Sequence, residues 1–235
     1  MRRSRHLGSF GGMKNPYVLY DYLRLQGNPN KPLVNTGLTD GAIYIETSVM
    51  CSEIPDYFSF VLSKLGQKDP SDQIYTMLGT GFKGDSGSTY GSIDVWKDYN
   101  TTGAFGNQIK QVTLGNWYTL TGTFDATNRI IRATFDGSSS EATSYYLIDN
   151  DQPWTLFGIY GRNVHHGAVG IQEFKIWDSS SKTTMLMDLV PALRTTDWAI
   201  GMVDVKNDTF IWHPCLVNDI IQHNGGQFFS VGNIT

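Results

Sequence analysis

The acidic residues are where catalysis would first be sought, and they are unevenly divided between the two types. Of the 22 acidic side chains, 18 are Asp and only four are Glu, at Glu46, Glu53, Glu141 and Glu173. Hydrolysis of a glycosidic bond typically uses two carboxyl groups on one face, about 5–5.5 Å apart in a retaining mechanism. The nearest two glutamates, Glu46 and Glu53, stand seven residues apart. The glutamates therefore predict no hydrolytic pair, and a pair of Asp carboxyls is left as an alternative.

Two oxygen-rich segments have the composition of a calcium site, Asp149-Asn150-Asp151 and the stretch from Asp204 to Asp208. Carboxylate and carbonyl oxygens are the ligands that Ca²⁺ takes in proteins. Asp and Asn are equally the residues that form tight turns. We therefore expect turns at both segments and no cofactor, with calcium held by Asp149 and Asp151 as the alternative.

Aromatic side chains offer a different chemistry, because the C–H face of a sugar ring stacks on an indole or phenol ring. Aromatics make up 13% of the chain. Those at or near the ends of predicted strands are candidates for contacting a glycan, and packing in the core or in an interface is the alternative for each. The candidates are Trp96, Tyr99, Tyr160 and Trp198.

The elements that would position these residues are strands joined by turns. Turn-forming Asp, Gly, Asn and Ser are abundant, whereas Glu, which is typical of helix surfaces, is scarce. The clearest hairpin runs through 117–124, turns at 125–128 and returns through 129–135. Residues 92–96 alternate apolar and polar, the period of a half-buried strand. Further strands are predicted over 42–49, 57–62, 74–78, 154–160 and 169–177.

Four segments are assigned on weaker patterns. Residues 169–177 are predicted as one continuous strand, with Val169 and Ile171 on one face and Phe174 and Ile176 on the other, as in a strand between two layers. The glycine-rich stretch 79–91 lacks the ending of a phosphate loop and is predicted to be a mobile surface loop. Short helices are compatible only with residues 59–65 and 183–190.

Composition and charge exclude several classes of protein. The chain has 235 residues, a formal net charge of −4, 40% hydrophobic residues and only 17% charged residues. So much apolar surface argues against disorder, and the negative balance argues against binding to nucleic acid phosphates. No run approaches the roughly 18 apolar residues of a membrane span. The length suits one all-β domain.

The first 19 residues are predicted to form a flexible basic arm. Its basic residues are Arg2, Arg3, Arg5 and Lys14. The arm is interpreted either as an anchor on an acidic partner or as a disordered leader. Because no apolar run follows the arginines, no secretory signal is expected. Cys51 and Cys215 are expected to be buried thiols, with a bridge between them as the alternative.

Two segments carry a resemblance to known proteins. The hairpin, Asn116-Trp-Tyr-Thr-Leu-Thr-Gly-Thr-Phe-Asp125 followed by Phe135-Asp-Gly137, resembles the concanavalin-A-like lectin/glucanase superfamily, which includes laminin-G-like domains. The segment Gly170-Ile-Gln-Glu-Phe-Lys-Ile-Trp-Asp178, with Met187-Asp-Leu-Val-Pro-Ala-Leu-Arg194 and Ile200-Gly-Met-Val-Asp204, is similar to such domains in bacteriophage and prophage structural proteins. Glucanases of the superfamily carry Glu-x-Asp-x-x-Glu or a close variant on one strand, which this chain lacks.

The resemblance covers about residues 20–212 and implies a jelly-roll β-sandwich of two antiparallel sheets. The expected domains are the arm at 1–19, the sandwich at 20–215 and a C-terminal tail at 216–235, which would pack on a partner. The matching motifs are structural rather than catalytic.

The function that the resemblance implies is that of a non-enzymatic virion protein of a tailed bacteriophage. It would be a capsid decoration, head-fibre or tail-associated component, made in the host cytoplasm without a signal peptide. Other virion proteins, further copies of the chain and host-surface glycan are the expected partners. A free-standing carbohydrate-binding lectin module and a glycoside hydrolase are the two alternatives.

Overall fold

The computed structural model describes residues 16–25, 34–55, 58–68, 75–97, 105–143, 151–158, 169–211, 215–217, 220–222 and 229–234. Within these residues the chain forms strands and no helix. The strands are β1 (Tyr17–Leu19), β2 (Tyr22–Leu25), β3 (Val34–Asn35), β4 (Ala42–Cys51), β5 (Phe58–Lys68), β6 (Tyr75–Asp85), β7 (Ser88–Lys97), β8 (Phe105–Val112), β9 (Trp117–Asp125), β10 (Ile130–Phe135), β11 (Ser138–Thr143), β12 (Trp154–Leu156), β13 (Val169–Ile171), β14 (Phe174–Trp177), β15 (Met185–Arg194), β16 (Ile200–Asp204), β17 (Thr209–Ile211), β18 (Cys215–Val217), β19 (Ile220–Gln222) and β20 (Phe229–Gly232).

The strands of the described residues form two main sheets. The larger sheet runs in the order β11-β10-β9-β4-β14-β15-β16-β17 and is extended by β1, β2, β13 and β20. The smaller sheet runs β3-β12-β5-β6-β7-β8, and β18 pairs separately with β19. Every pairing between these strands is antiparallel. The prediction of an all-β fold built on two antiparallel sheets is confirmed.

The core lies between the two sheets and is closed by aromatic rings that meet across the layer. Phe82 of the smaller sheet meets Phe135 of the larger one edge-on, with ring centroids 5.8 Å apart. Phe124 and Trp154 form a second cross-sheet pair at 5.7 Å. All four side chains are fully buried or nearly so. Such edge-to-face pairs add roughly 0.5–1.5 kcal/mol beyond the area that they bury.

A buried lysine completes the core beside Trp154. Lys64 has no exposed surface, and its Nζ donates to the carbonyl oxygens of Thr39 and Gln152 at 3.0 and 2.7 Å. The same ammonium lies 5.1 Å from the Trp154 ring centroid. The indole N–H of Trp154 donates to the carbonyl of Asp40 at 2.8 Å. These bonds tie β5 and β12 to the segment before β4, and β5 also to the residues before β12.

The glycine-rich stretch 79–91 forms parts of β6 and β7, so the prediction of a mobile loop is wrong. Four of its five glycines stand where a neighbour occupies the space of a side chain, and Gly87, with φ +83°, lies in the turn. A Cβ on Gly79 would lie 2.8 Å from the Phe60 ring, and one on Gly91 would lie 2.6 Å from the Phe135 ring. On Gly81 it would lie 2.0 Å from the carbonyl oxygen of Ser59. Close approach in a sheet, rather than loop flexibility, explains these residues.

A β-bulge interrupts the strand that was predicted over 169–177. Ile171 pairs with Val49 and Lys175 with Glu46, so four steps along the bulged strand face three along β4. Because of the extra residue, the apolar residues on both sides of the break face the same core, contrary to the two-faced strand expected from alternation. The two segments compatible with short helices are also strands, parts of β5 and β15.

The larger sheet reaches beyond the bounds of 20–215 at both ends. β1, from the end of the segment predicted as an arm, pairs with β15. β20, from the segment predicted as a tail, pairs with β2. In the described part of the chain, no helix has the length and apolar character needed to cross a membrane.

We expect Gly81→Ala to be far more destabilising than Gly137→Ala, which provides the matched control. An alanine at position 81 must displace the backbone of β5, which we expect to cost about 3 kcal/mol, as in overpacked cores. Gly137 has φ +84° and open space around it, so alanine there costs only about 1 kcal/mol of backbone strain. Urea denaturation of the three proteins measures both costs. Equal destabilisation by the two substitutions would contradict the packing of β6 against β5.

Candidate functional site

The turn between β15 and β16 presents Trp198 to solvent. Its side chain is 65% exposed, more than any other large apolar side chain of the described residues. Indole rings are usually at least half buried in a monomer, because each carries a large apolar surface. Of the four aromatic residues predicted to contact a glycan, Trp198 is the one whose side chain the structure describes.

Two charged side chains hold the shape of this turn. Arg194 donates to Asp197 through Nε and Nη2, at 2.9 and 2.6 Å. Asp197 Oδ1 also accepts the backbone N–H of Ala199 at 3.3 Å, and the N–H of Arg194 donates to the Ala199 carbonyl at 2.8 Å. The Arg194 hydrogen bond lowers the pKa of Asp197. The carboxylate thus stays ionised and keeps the turn closed over the pH range in which proteins work.

Aromatic residues on neighbouring strands support Arg194. Its guanidinium lies 4.6 Å from the ring centroid of Phe210 on β17. The Phe210 ring stacks on Tyr17 of β1, with centroids 5.3 Å apart and ring planes within 10°. Thr195 donates to the Pro16 carbonyl from both its N–H and its hydroxyl, at 2.6 and 2.9 Å. The turn is therefore fixed to β1 and β17 as well as to its own strands.

The backbone of Trp198 adopts a conformation that suits glycine. Its φ is +61°, in the left-handed region. A residue with a Cβ there costs roughly 1–2 kcal/mol relative to the right-handed form. Neither burial nor backbone preference explains a tryptophan at this position.

The other predicted residues divide between those that the structure places and those outside the described residues. Trp96 lies on β7 in register with Met77, and its side chain is outside the described part. Asp151 is exposed just before β12. Outside the described residues lie Tyr99, Tyr160, Asp149 and the arm residues Arg2, Arg3, Arg5 and Lys14. No group of three or more His, Cys, Asp or Glu side chains that could hold a metal ion occurs among the described residues.

The oxygen-rich segment that begins at Asp204 is a turn. Asp204 is fully buried, and its Oδ1 accepts the N–H groups of Asp188, Lys206 and Asn207. Its Oδ2 accepts from the side-chain amide of Asn207 at 2.6 Å. Four N–H donors thus satisfy this carboxylate, which fixes the turn between β16 and β17.

Cys51 is a free thiol at the end of β4. It is buried and donates to the carbonyl of Glu53 at 2.9 Å. Burial raises the pKa of the thiol to about 12. The thiol is therefore protonated and a poor nucleophile at neutral pH.

A polar surface on the smaller sheet was missed from the sequence. It lies on the outer face, the face turned away from the other sheet, around Tyr90 on β7. Gln108 donates to Asp85 at 2.9 Å and lowers the pKa of that carboxyl, and Gln111 donates to Ser88 at 3.3 Å. The alternation of inward and outward side chains along β6 and β7 could have predicted this surface. The glycines at 79–91 interrupt that alternation, so the stretch was predicted to be a loop.

A carboxyl pair on the outer face of the larger sheet was also missed. Glu173 lies just before β14, and its charge acts on Asp188 of β15, the register partner of Lys175. Burial first, and then the charge of Glu173, raise the pKa of Asp188 to about 6. Lys175 forms an ion pair with Glu173 at 3.2 Å. The two carboxyls are 15 residues apart in the sequence, so only strand pairing brings them together.

Comparisons with known proteins find similarity of fold at low sequence identity. No protein-family model matches the sequence, and no curated protein sequence matches it. The LG4-5 domains of the mouse laminin alpha1 chain share 13% identity at a TM-score of 0.41, over 87% of this chain and 52% of that one. A galectin of Caenorhabditis elegans shares 10% identity at 0.35, over 69% and 99% of the two chains. An alginate lyase of Pseudomonas aeruginosa shares 10% identity at 0.38, over 62% and 68%. These values are too low to carry an argument about function.

The raised pKa of Asp188 makes stability depend on pH in a defined direction. A carboxyl whose pKa is higher in the folded than in the unfolded protein favours folding at low pH, and this contribution is lost as the pH rises through about 6. We expect Asp188→Asn to raise the melting temperature relative to the wild type at pH 7–8, where the buried charge is removed. At pH 4 the gain should disappear.

Thermal denaturation from pH 4 to pH 8 measures this difference. Asp40→Asn, which removes an exposed carboxyl before β4, is the matched control. A gain from Asp188→Asn that is the same at every pH would contradict the assignment.

Proposed function

We propose that this protein is a non-catalytic, glycan-binding sandwich of a bacteriophage virion. The observation that carries the glycan-binding part is the exposed indole of Trp198 on a turn whose backbone would suit glycine. An indole held in this way is a rigid platform for the C–H face of a sugar ring. Rigid aromatic residues lose little conformational entropy on binding and dominate many binding surfaces.

The charges beside Trp198 favour a neutral sugar. Arg194 and Asp197 neutralise each other through two hydrogen bonds, so the turn presents no unpaired cation to an acidic sugar. Asp197 Oδ2 receives one bond from Arg194 and has room for a second donor, such as a sugar hydroxyl. A stacking ring beside a carboxylate acceptor suits an uncharged pyranose.

The virion part of the proposal rests on the resemblance to phage structural proteins. The matching phrase at 187–194 lies in β15, and the phrase at 200–204 is β16. Trp198 therefore lies in the connection between these two phrases. In this proposal, the basic residues of the N-terminal segment attach the sandwich to other virion proteins, and further copies of the chain complete the assembly.

A glycoside hydrolase is the second candidate function, and the carboxyl pair of Glu173 and Asp188 is the observation that favours it. A carboxyl with a raised pKa has the property of a general acid at near-neutral pH. Release of reducing ends from bacterial polysaccharides, lost in Asp188→Asn, would identify this activity. If no reducing ends are released, glycan binding without catalysis is the function that remains.

We expect Trp198→Gly to weaken glycan binding strongly without destabilising the fold. Removal of the ring should cost about 2 kcal/mol or more in binding, roughly 30-fold in Kd. Glycine at φ +61° removes the backbone strain, so we expect a stability between that of the wild type and about 1 kcal/mol above it. A glycan array identifies the ligand, and titration calorimetry then measures the affinity of both proteins.

Asp208→Gly is the matched control for this substitution. Asp208 is an exposed turn residue with φ +52°, in the turn that follows β16. The control relieves the same kind of strain and leaves Trp198 in place, so glycan affinity should not change. Binding that survives in Trp198→Gly would remove Trp198 from the site.

We expect deletion of residues 1–15 to prevent incorporation into phage particles while the sandwich still folds. The deletion stops before β1, because that strand pairs with β15 and its loss would disturb the larger sheet. Purified particles assembled with the full-length and shortened chains are compared by gel and immunoblot. Undiminished incorporation of the shortened chain would contradict anchoring by the arm, and absence of the full-length chain from particles would contradict the virion assignment.

A further inference from the structure

Two aromatic rings stand side by side on the outer face of the larger sheet. Tyr44 on β4 and Trp177 on β14 are register partners. Their ring centroids are 6.0 Å apart, and the ring planes are inclined at 51°. The rings therefore form two adjoining walls rather than a flat stack.

A carboxylate completes this arrangement. Glu46 lies two residues beyond Tyr44 on the same strand and the same face. Its Oε1 accepts the Tyr44 hydroxyl at 3.4 Å. The carboxylate therefore places a negative charge beside the rings.

The ammonium group of Lys182 occupies the space that these three side chains border. Its Nζ lies 5.6 Å from the Tyr44 ring centroid and 5.3 Å from that of Trp177, within the range of a cation–π interaction. It also forms an ion pair with Glu46. The hydrogen bond with Glu46 raises the pKa of Lys182, so the group stays charged.

Lys182 reaches the rings from an exposed turn and is not part of either strand. The turn runs from Asp178 to Thr184, and Lys182 adopts φ +55° in it. A Lys side chain is flexible and keeps its ammonium strongly hydrated, which makes it a poor match for aromatic walls. Methylated ammonium groups are less hydrated, and aromatic cages are the sites that bind them in proteins.

We propose that Tyr44, Trp177 and Glu46 form a binding site for a methylated ammonium group, such as the trimethylammonium of choline, and that Lys182 is the resident cation which the ligand displaces. The two rings supply cation–π attraction, and Glu46 supplies the counter-charge. The site lies on β4 and β14, away from the turn that carries Trp198, and it does not depend on glycan binding.

Competition with Lys182 sets the affinity of this site. A ligand binds only in the fraction of molecules whose ammonium has left the rings, so its apparent affinity is lowered by that fraction. Removing Lys182 should therefore strengthen binding. If Lys182 and Glu46 formed only a structural ion pair, removing Lys182 would not be expected to strengthen the binding of a ligand. Tighter choline binding in a Lys182 variant therefore distinguishes the proposed site from a structural ion pair.

The test compares choline with 3,3-dimethylbutan-1-ol, which has the same shape and no charge. We expect Lys182→Gly, chosen because glycine suits φ +55°, to bind choline about tenfold more tightly than the wild type and not to bind the neutral analogue. Lys175→Ala is the matched control, because Lys175 pairs with Glu173 on the same face, and it should bind choline as the wild type does. Ligand-observed NMR titration measures the affinity of the wild type and of both variants for choline and for the neutral analogue.

Two further variants, made in the Lys182→Gly background, separate the parts of the site. Glu46→Gln should weaken choline binding at least fivefold, and Tyr44→Leu should do the same through loss of one aromatic wall. Circular dichroism and melting temperature report whether each variant is folded, and Lys182→Gln serves as a second variant without the ammonium. Choline binding no tighter in either Lys182 variant than in the wild type, or equal binding of the neutral analogue, would overturn the proposal.

Discussion

The two sheets are held face to face by aromatic rings that meet across the layer between them, Phe82 against Phe135 and Phe124 against Trp154. This packing decides which residue of each strand turns inward, because side chains alternate along a strand. Once Ile43 and Ile45 lie in the core, Tyr44 and Glu46 between and beyond them must lie on the outer face. The outward-facing groups of both sheets are therefore placed by residues that they do not touch.

Buried polar groups tie the connections to this core. Lys64 satisfies two carbonyl oxygens next to Trp154, and Asp204 satisfies four N–H groups at the turn after β16. A buried charge is tolerated when its hydrogen bonds are complete, and each of these fixes a loop against the sheets. Asp188 is the contrast, because its Oδ1 is buried without a hydrogen-bond partner, and its pKa is raised accordingly. The neighbouring strands β15 and β16 thus carry both a carboxyl that fixes a turn, Asp204, and a carboxyl with a raised pKa, Asp188.

The two aromatic features of the larger sheet differ in what fills the space in front of them. Trp198 presents an open ring beside charges that neutralise each other. Trp177 is only 7% exposed, and the ammonium of Lys182 lies against it and Tyr44. An open ring suits an uncharged sugar, and a ring pair already in contact with a cation suits another cation. Each site takes its distinguishing group from a turn residue with positive φ, the indole of Trp198 in one and the ammonium of Lys182 in the other.

Much of the fold was determined by the sequence alone. The scarcity of Glu, the alternation over 92–96 and the hairpin through 117–135 predicted an all-β sandwich, because strand alternation and turn residues are local properties. Trp198 was a candidate for glycan contact from the sequence alone, and the structure adds that its side chain is exposed on a turn. Tertiary structure decided the rest, because the deciding contacts join distant residues. The glycines of β6 and β7 predicted a loop from the sequence. In the structure, neighbouring backbone atoms and rings occupy the space that a side chain at these positions would need. The bulge before β14 depends on the register with β4, and the pairing of β14 with β15 brings Glu173 near Asp188. No spacing in the sequence joins Tyr44, Trp177 and Lys182, which meet only because β4 and β14 pair across more than a hundred residues of chain.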